Sequence, residues 1–121
     1  MCQRFSSGFT LLELLFVITL IGILTSIAIP QFSAYRAHAF DVRAETDLRH
    51  VAIAEEVYFM DQEHYLACKN SQCEDLPGIA RLSRGVEVTI LATASGFTGD
   101  AYHPRGSRHF QWDSSQGGII E

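Results

Sequence analysis

With 121 residues the chain has room for one compact domain at most, and a formal charge of −5, from 9 Lys+Arg against 14 Asp+Glu with no basic run, argues against nucleic-acid binding through neutralised phosphates. It does not exclude a local basic patch in an assembly. The 47% hydrophobic content is ordinary only as an average, because apolar residues concentrate in residues 9–30 and leave a remainder polar enough for a small soluble head.

Residues 1–8 are short and polar. Arg4 lies on the side expected to stay cytoplasmic, and Cys2 precedes the apolar run, so it is not placed as a lipoprotein cysteine. From Phe9 the chain stays apolar to Pro30, about the ~20 residues a helix needs to cross a bilayer core. One ionisable residue, Glu13, sits near its start. A carboxylate there is costly, so it marks a functional site by default. Three readings are open on the residues alone. The first is a signal peptide cut at the far end, where Ser26-Ile27-Ala28 resembles a small-x-small site, although the run is long for one. The second is a plain anchor in which Glu13 snorkels to the interface. The third is a cut between Gly8 and Phe9, which retains the apolar segment and creates an amine four residues before Glu13.

Gly8-Phe9-Thr10-Leu11-Leu12-Glu13-Leu14-Leu15-Phe16-Val17-Ile18, followed by Ile21-Gly22-Ile23-Leu24 and Ile27-Ala28-Ile29-Pro30, resembles the N-terminal signature of type IV pilins and of the pseudopilins of type II secretion. The short leader is similar to that of the type IVa group. The resemblance covers residues 4 to about 35. It implies that a membrane prepilin peptidase cuts after Gly8 and that Phe9 is N-methylated. It also implies that Glu13 pairs with the Phe9 amine of a neighbouring copy during assembly. Such a pair sets axial register more than it adds net stability. Gly22 and Pro30 are the expected helix weak points. They imply either a segment that unwinds in a filament or a mild kink at the end of the membrane span. Thr25 and Ser26 are placed to satisfy backbone groups freed by Pro30.

Residues 31–62, free of Gly and Pro and rich in Ala, Arg and Glu, read as a continuing amphipathic helix. Leu48, Val51, Ala54 and Tyr58 form its apolar stripe. Arg36, Asp41, Arg43, Glu45, Asp47 and Arg49 read as a solvated face, the alternative being contact with other subunits' heads. Glu45 and Arg49 are an i,i+4 pair. A continuous helix from Phe9 to Gln62 would be on the order of 80 Å long. Residues 63–85 read as a connecting loop with a cysteine pair. Cys68 and Cys73 are too few for a zinc site. An exported head makes a Cys68–Cys73 disulfide the preferred reading, against two free thiols in a loop. Residues 86–121 read as an antiparallel head. Strands are expected around Val86–Ile90, Phe97–Tyr102 and His109–Trp112, with turns at Ser95-Gly96 and Pro104–Ser107, and Ile119-Ile120 tucks back. Phe110 and Trp112 share one face, as core residues do. Asp100 and Asp113 could meet at a strand end to hold a cation, but no ligand run resembles a calcium loop.

The expected fold is α+β, a long N-terminal α-helix whose first half spans the membrane, with a small C-terminal antiparallel sheet packed on its second half. The five histidines are scattered, and no catalytic constellation or cofactor motif is present. The function that the resemblance implies is a structural pilin subunit, not an enzyme. It is processed by prepilin peptidase in the inner membrane, surrounded by lipid before assembly, and polymerised with other copies of itself by the assembly machinery into a surface pilus. The alternatives are a pseudopilin forming a periplasmic pseudopilus and, from another class, a secreted binding module with an ordinary signal peptide.

Overall fold

The computed structural model describes residues 7–120, so Cys2 and Arg4 lie outside the described residues. The chain divides into two units, Met1–Ala34 and Tyr35–Glu121, and one helix, α1 (Leu11–Gln62), contributes to both. In the first unit α1 carries only exposed side chains. Pro30 lies inside α1, and the helix is unbroken at both Gly22 and Pro30.

The second unit, the head, sets α1 against one sheet. After α1 come β1 (Cys68–Lys69), a short 3-10 turn (Asn70–Asp75), β2 (Glu87–Ala92), β3 (Phe97–Tyr102), β4 (His109–Asp113) and β5 (Gly118–Ile120). Among the described residues the strands pair antiparallel in sequence order, β1-β2-β3-β4-β5. The three expected strands are present. The additions are β1, which lies inside the stretch expected to be loop, and β5, formed by the Ile119-Ile120 tail. Both owe their pairing to a neighbour instead of to local pattern: Cys68 sits opposite Ile90, and Ile119 opposite Trp112. The helix ends where expected. Glu63 turns into the left-handed region (φ 58), and its N–H donates to the Phe59 carbonyl at 2.8 Å.

The core lies between the helix stripe and the inner face of the sheet. Leu48, Val51 and Ala54 meet Val88, Ile90, Phe97, Ala101 and Phe110, with Tyr58 and Trp112 packed at the margin. Alternation along β3 buries Phe97, Gly99 and Ala101. A Cβ on Gly99 would stand 2.8 Å from Leu48 Cδ1 and 2.9 Å from Ile90 Cδ1, so the helix approaches β3 at the residue without a side chain.

The charged face of α1 departs from the sequence expectation. Asp41 and Asp47 are buried, not solvated. Asp41 Oδ1 accepts the N–H groups of Ser107 (2.8 Å) and Arg108 (3.0 Å), and Oδ2 accepts the Ser107 hydroxyl at 2.7 Å. Asp47 accepts the Ser83 N–H at 2.7 Å and its hydroxyl at 3.0 Å. Glu55 Oε2 accepts the Leu66 N–H at 2.9 Å. Three carboxylates on one helix therefore each hold one loop of the head by groups that water would otherwise have to satisfy. The other charges of this face follow the solvated expectation: Arg36, Arg43 and Arg49 are exposed, and Glu45 pairs with Arg49 at 2.8 Å.

Glu55 differs from the two aspartates. Its side chain is fully buried and Oε1 has no hydrogen-bond partner. Burial, with Glu56 adding to it, raises the carboxyl above its ordinary 4.5, against the Leu66 N–H and His64, which lower it. The folded head therefore holds this proton more tightly than the unfolded chain. The stabilisation is complete below the ordinary value and is lost as pH rises through the raised one. Head stability, read from urea melts across pH, is expected to fall as pH climbs from the ordinary glutamate range. In Glu55→Gln, which keeps an acceptor for Leu66 and has no proton to lose, that slope should vanish. An unchanged slope would assign the pH dependence to another group.

Candidate functional site

The helix begins at Leu11 because Thr10 caps it. The Thr10 hydroxyl accepts the Glu13 N–H at 3.2 Å, while Glu13 Oε2 accepts the Thr10 N–H at 2.9 Å and the Thr10 hydroxyl at 3.1 Å. The Thr10 carbonyl receives the first helical bond, from Leu14 N–H at 3.2 Å. This is a reciprocal capping box, in which the N-cap and the third helical residue satisfy each other's backbone donors. Thr10 belongs to the site and was missed by the sequence reading, although Thr-x-x-Glu before an apolar run is its known signal.

Glu13 thus has a local role within its own chain. The cap uses Oε2, leaving Oε1 out of these bonds. Gly8, Phe9 and Glu13, with Ser7, line one cavity of about 180 Å³. A second groove, about 670 Å³, runs past Phe9, Leu12, Glu13, Leu15, Phe16, Val17 and Thr19. The backbone nitrogen that cleavage would free at Phe9 accordingly lies in the neighbourhood of its own chain's Glu13. The Phe9 ring is 86% exposed, and Leu12, Phe16 and Leu24 are among many large apolar side chains of this unit left uncovered. α1 is long and apolar enough to cross a membrane.

Nothing in the fold requires glycine at position 8. A Cβ there would meet no atom within 4 Å, and its φ is not in the left-handed region. The same holds for Gly22. The packing of this chain therefore dictates a missing side chain at neither position. Gly8→Val is expected to leave the head's thermal transition unchanged while full-length precursor accumulates, read by the intact mass of the membrane fraction. Normal processing of this variant would sink the cleavage assignment.

The hydroxyls around Pro30 do not act as the sequence suggested. Proline leaves the Ser26 carbonyl without its usual donor four residues on. Thr25 donates to the carbonyls of Ile21 (2.9 Å) and Gly22 (3.0 Å), Ser26 to Ile23 (2.7 Å) and Ser33 to Pro30 (2.8 Å). None of the three reaches the Ser26 carbonyl, because each hydroxyl folds back on its own preceding turn. The remaining expected pair is joined: Cys68 and Cys73 form a disulfide with Cα atoms 5.1 Å apart, tying β1 to the 3-10 turn. So short a ring contributes about 2 kcal/mol by loop entropy. Asp100 and Asp113 are not brought to one ligand set. Asp100 stands opposite Gln111 and Asp113 opposite Thr98, and Asp113 Oδ1 is taken by the Ser115 N–H and hydroxyl. Among the described residues no group of three or more His, Cys, Asp or Glu is placed to hold a metal.

The family model of the prokaryotic N-terminal methylation motif matches residues 3–29, the stretch that holds the cap, the acid and Gly8. By this segment the chain resembles type IV pilins and pseudopilins. Relatives of both kinds are similar to it. The type IV major pilin protein PilA of Myxococcus xanthus is 40% identical over 58 residues, 48% of this chain and 26% of that protein. The type II secretion system core protein G of Aeromonas hydrophila is 35% identical over 65 residues, 54% of this chain and 46% of that protein. A fimbrial protein of Pseudomonas aeruginosa is 45% identical over 54 residues, 45% of this chain and 35% of that protein. The matched stretch thus spans less than half the length of each of these three relatives. The motif match ends at residue 29, and the head must be read from its own residues.

Proposed function

We propose that the chain is the precursor of a structural pilin subunit. Prepilin peptidase cuts it between Gly8 and Phe9, Phe9 is N-methylated, and the mature chain polymerises with copies of itself through its apolar helix into a type IV pilus. Before assembly the subunit sits in the inner membrane as a single-pass protein, with lipid around residues 9–30. The reading rests on one observation: a carboxylate at position 13, in an otherwise uninterrupted and uncovered apolar helix, one turn past a glycine that the fold does not need. The mature chain needs no catalytic residue or cofactor for this. The assembly machinery of the inner membrane is its other partner, and the Cys68–Cys73 bond stiffens the exported head.

The charge at Glu13 supports a role in register. Packing apolar helices side by side fixes their contact poorly along the axis, because one apolar turn resembles the next. An amine and a carboxylate buried among them are left unpaired by any slip, which costs several kcal/mol. The cap leaves Glu13 Oε1 available for that amine. Mass spectrometry of the mature N-terminus tests the proposal. A chain beginning with methylated Phe9 supports it, and one beginning at Ile29, beyond a signal peptide, overturns it.

A second reading, a pseudopilin of a type II secretion system, is favoured by the likeness to core protein G. It shares the processing and the helix and differs in where the fibre ends. Imaging cells for surface fibres containing this chain, against a periplasmic location, separates the two.

A further inference from the structure

Although the chain is acidic overall, the start of the head's helix carries a cluster of positive charge built on Phe40. The Phe40 ring stacks on His103, with centroids 4.2 Å apart and planes at 16°. The guanidinium of Arg105 stands 4.8 Å from the same ring and that of Arg43 5.5 Å. Both arginines are exposed, and among the described residues neither has a carboxylate within 4.0 Å. The acid next to Phe40 does not neutralise them, since Asp41 is buried with its oxygens taken by Ser107 and Arg108. Two more exposed arginines border the cluster. Arg36 is one turn before Phe40, and Arg84 precedes Gly85, whose added Cβ would lie 2.6 Å from His103 Nε2. The exposed acids Glu56, Asp61, Glu63 and Asp75 come late in α1 or after it.

Two features select the partner. Planar guanidinium groups held on an aromatic ring present forked donors suited to phosphate. In sequence the cluster follows the apolar run closely, with exposed aromatics Phe32 and Tyr35 between. Phe40 is ten residues beyond Pro30, and ten residues of chain reach at most about 36 Å in any arrangement. Aromatic rings beside arginines at the end of a membrane span are the residues that settle at headgroup level.

We propose that the Phe40–Arg43–Arg105 surface binds the phosphate groups of anionic phospholipids, holding the head on the bilayer surface until assembly withdraws the subunit. This rests on the membrane-anchored reading above. It adds a lipid contact by the head to the embedding of the apolar helix.

The test uses the full chain in uncharged detergent micelles, titrated with phosphatidylglycerol and, separately, phosphatidylcholine, with retained lipid read by native mass spectrometry. Retention of the chain in micelles checks the apolar segment independently of the head. The expected result is a preference for phosphatidylglycerol that weakens with salt. It should drop about 30-fold in the double variant Arg43→Gln/Arg105→Gln, two charges being removed at the surface. The double variant Arg43→Lys/Arg105→Lys keeps the charges and should keep most of the preference, which guards against a folding defect in the glutamine pair. An equal preference in wild type and the glutamine variant overturns the proposal. So does a glutamine variant that assembles poorly while its lipid preference is unchanged, an outcome that would assign the surface to a neighbouring copy of the chain.

Discussion

Glu13→Ala is expected to leave cleavage after Gly8 largely intact and to block or disorder fibre assembly. The two-part role of this carboxylate makes a sharper experiment possible. Alanine removes both the cap and the charge. Loss of the cap alone costs about 1 kcal/mol and frays the first helical turn. Loss of the charge leaves a buried amine without a partner, at about 3–5 kcal/mol for each subunit added. Glu13→Gln separates the two, because glutamine serves equally well as the third helical residue of a capping box. If register depends on charge, Glu13→Gln should assemble as poorly as Glu13→Ala while retaining an ordered first turn. If it assembles normally, the residue is needed as a cap and the pairing argument fails. The readouts are electron microscopy of sheared fibres and N-terminal mass, the second showing that the precursor was still processed.

The largest effect on the head itself is expected at Asp41. Asp41→Ala strips the partners from the Ser107 and Arg108 N–H groups and from the Ser107 hydroxyl. A fully buried donor left unpaired costs about 1–3 kcal/mol and these three are part-buried, so a summed loss of about 3 kcal/mol and a fall of more than about 10 °C in the melting temperature are expected. Burial acts to raise this carboxyl, but the Ser107 hydroxyl, the two N–H groups and the nearby Arg108 outweigh it and hold it below the ordinary 3.8. The folded state therefore binds the proton less tightly than the unfolded chain. The stabilisation is present above the ordinary aspartate value and is lost as pH falls through the lower folded one. Asp41→Asn, whose amide oxygen can accept both N–H groups, should lose much less stability and should lack this acid limb. Glu45→Ala, which removes an exposed ion pair, should change stability by no more than about 0.5 kcal/mol. Equal losses at positions 41 and 45 would contradict the distinction drawn between a loop-holding acid and a solvated one. Asp41 and Glu55 have opposite pH slopes, so the head is expected to be most stable between their two transitions.

These acids show where pattern reading stops. Leu48, Val51, Ala54 and Tyr58 were legible as a stripe because burial of apolar groups repeats with the helical period. Asp41 and Asp47 were not, because nothing in the period separates a carboxylate facing water from one facing a loop 36 or 66 residues away. The same limit hid β1 and β5. Each is two or three residues long and becomes a strand only because a longer neighbour offers its free edge. Thr10 is a different case, since its signal, the Thr10-x-x-Glu13 spacing, is local and present in the sequence.

By itself the sequence determined the N-terminal methylation motif, the apolar segment with its single acid, the course of the long helix and the alternating strands that build the sheet. All of these follow from short-range chemistry, from a run of apolar residues or from a repeat of 3.6 or 2. Only the tertiary structure decided what the polar residues do. It turned two surface charges into loop anchors, left Glu55 with a buried unpartnered oxygen, and gathered Arg43 and Arg105 around Phe40 from opposite ends of the head's sequence. A buried polar group must find a partner wherever the fold supplies one, and that partner's place in the chain leaves no mark on the local pattern.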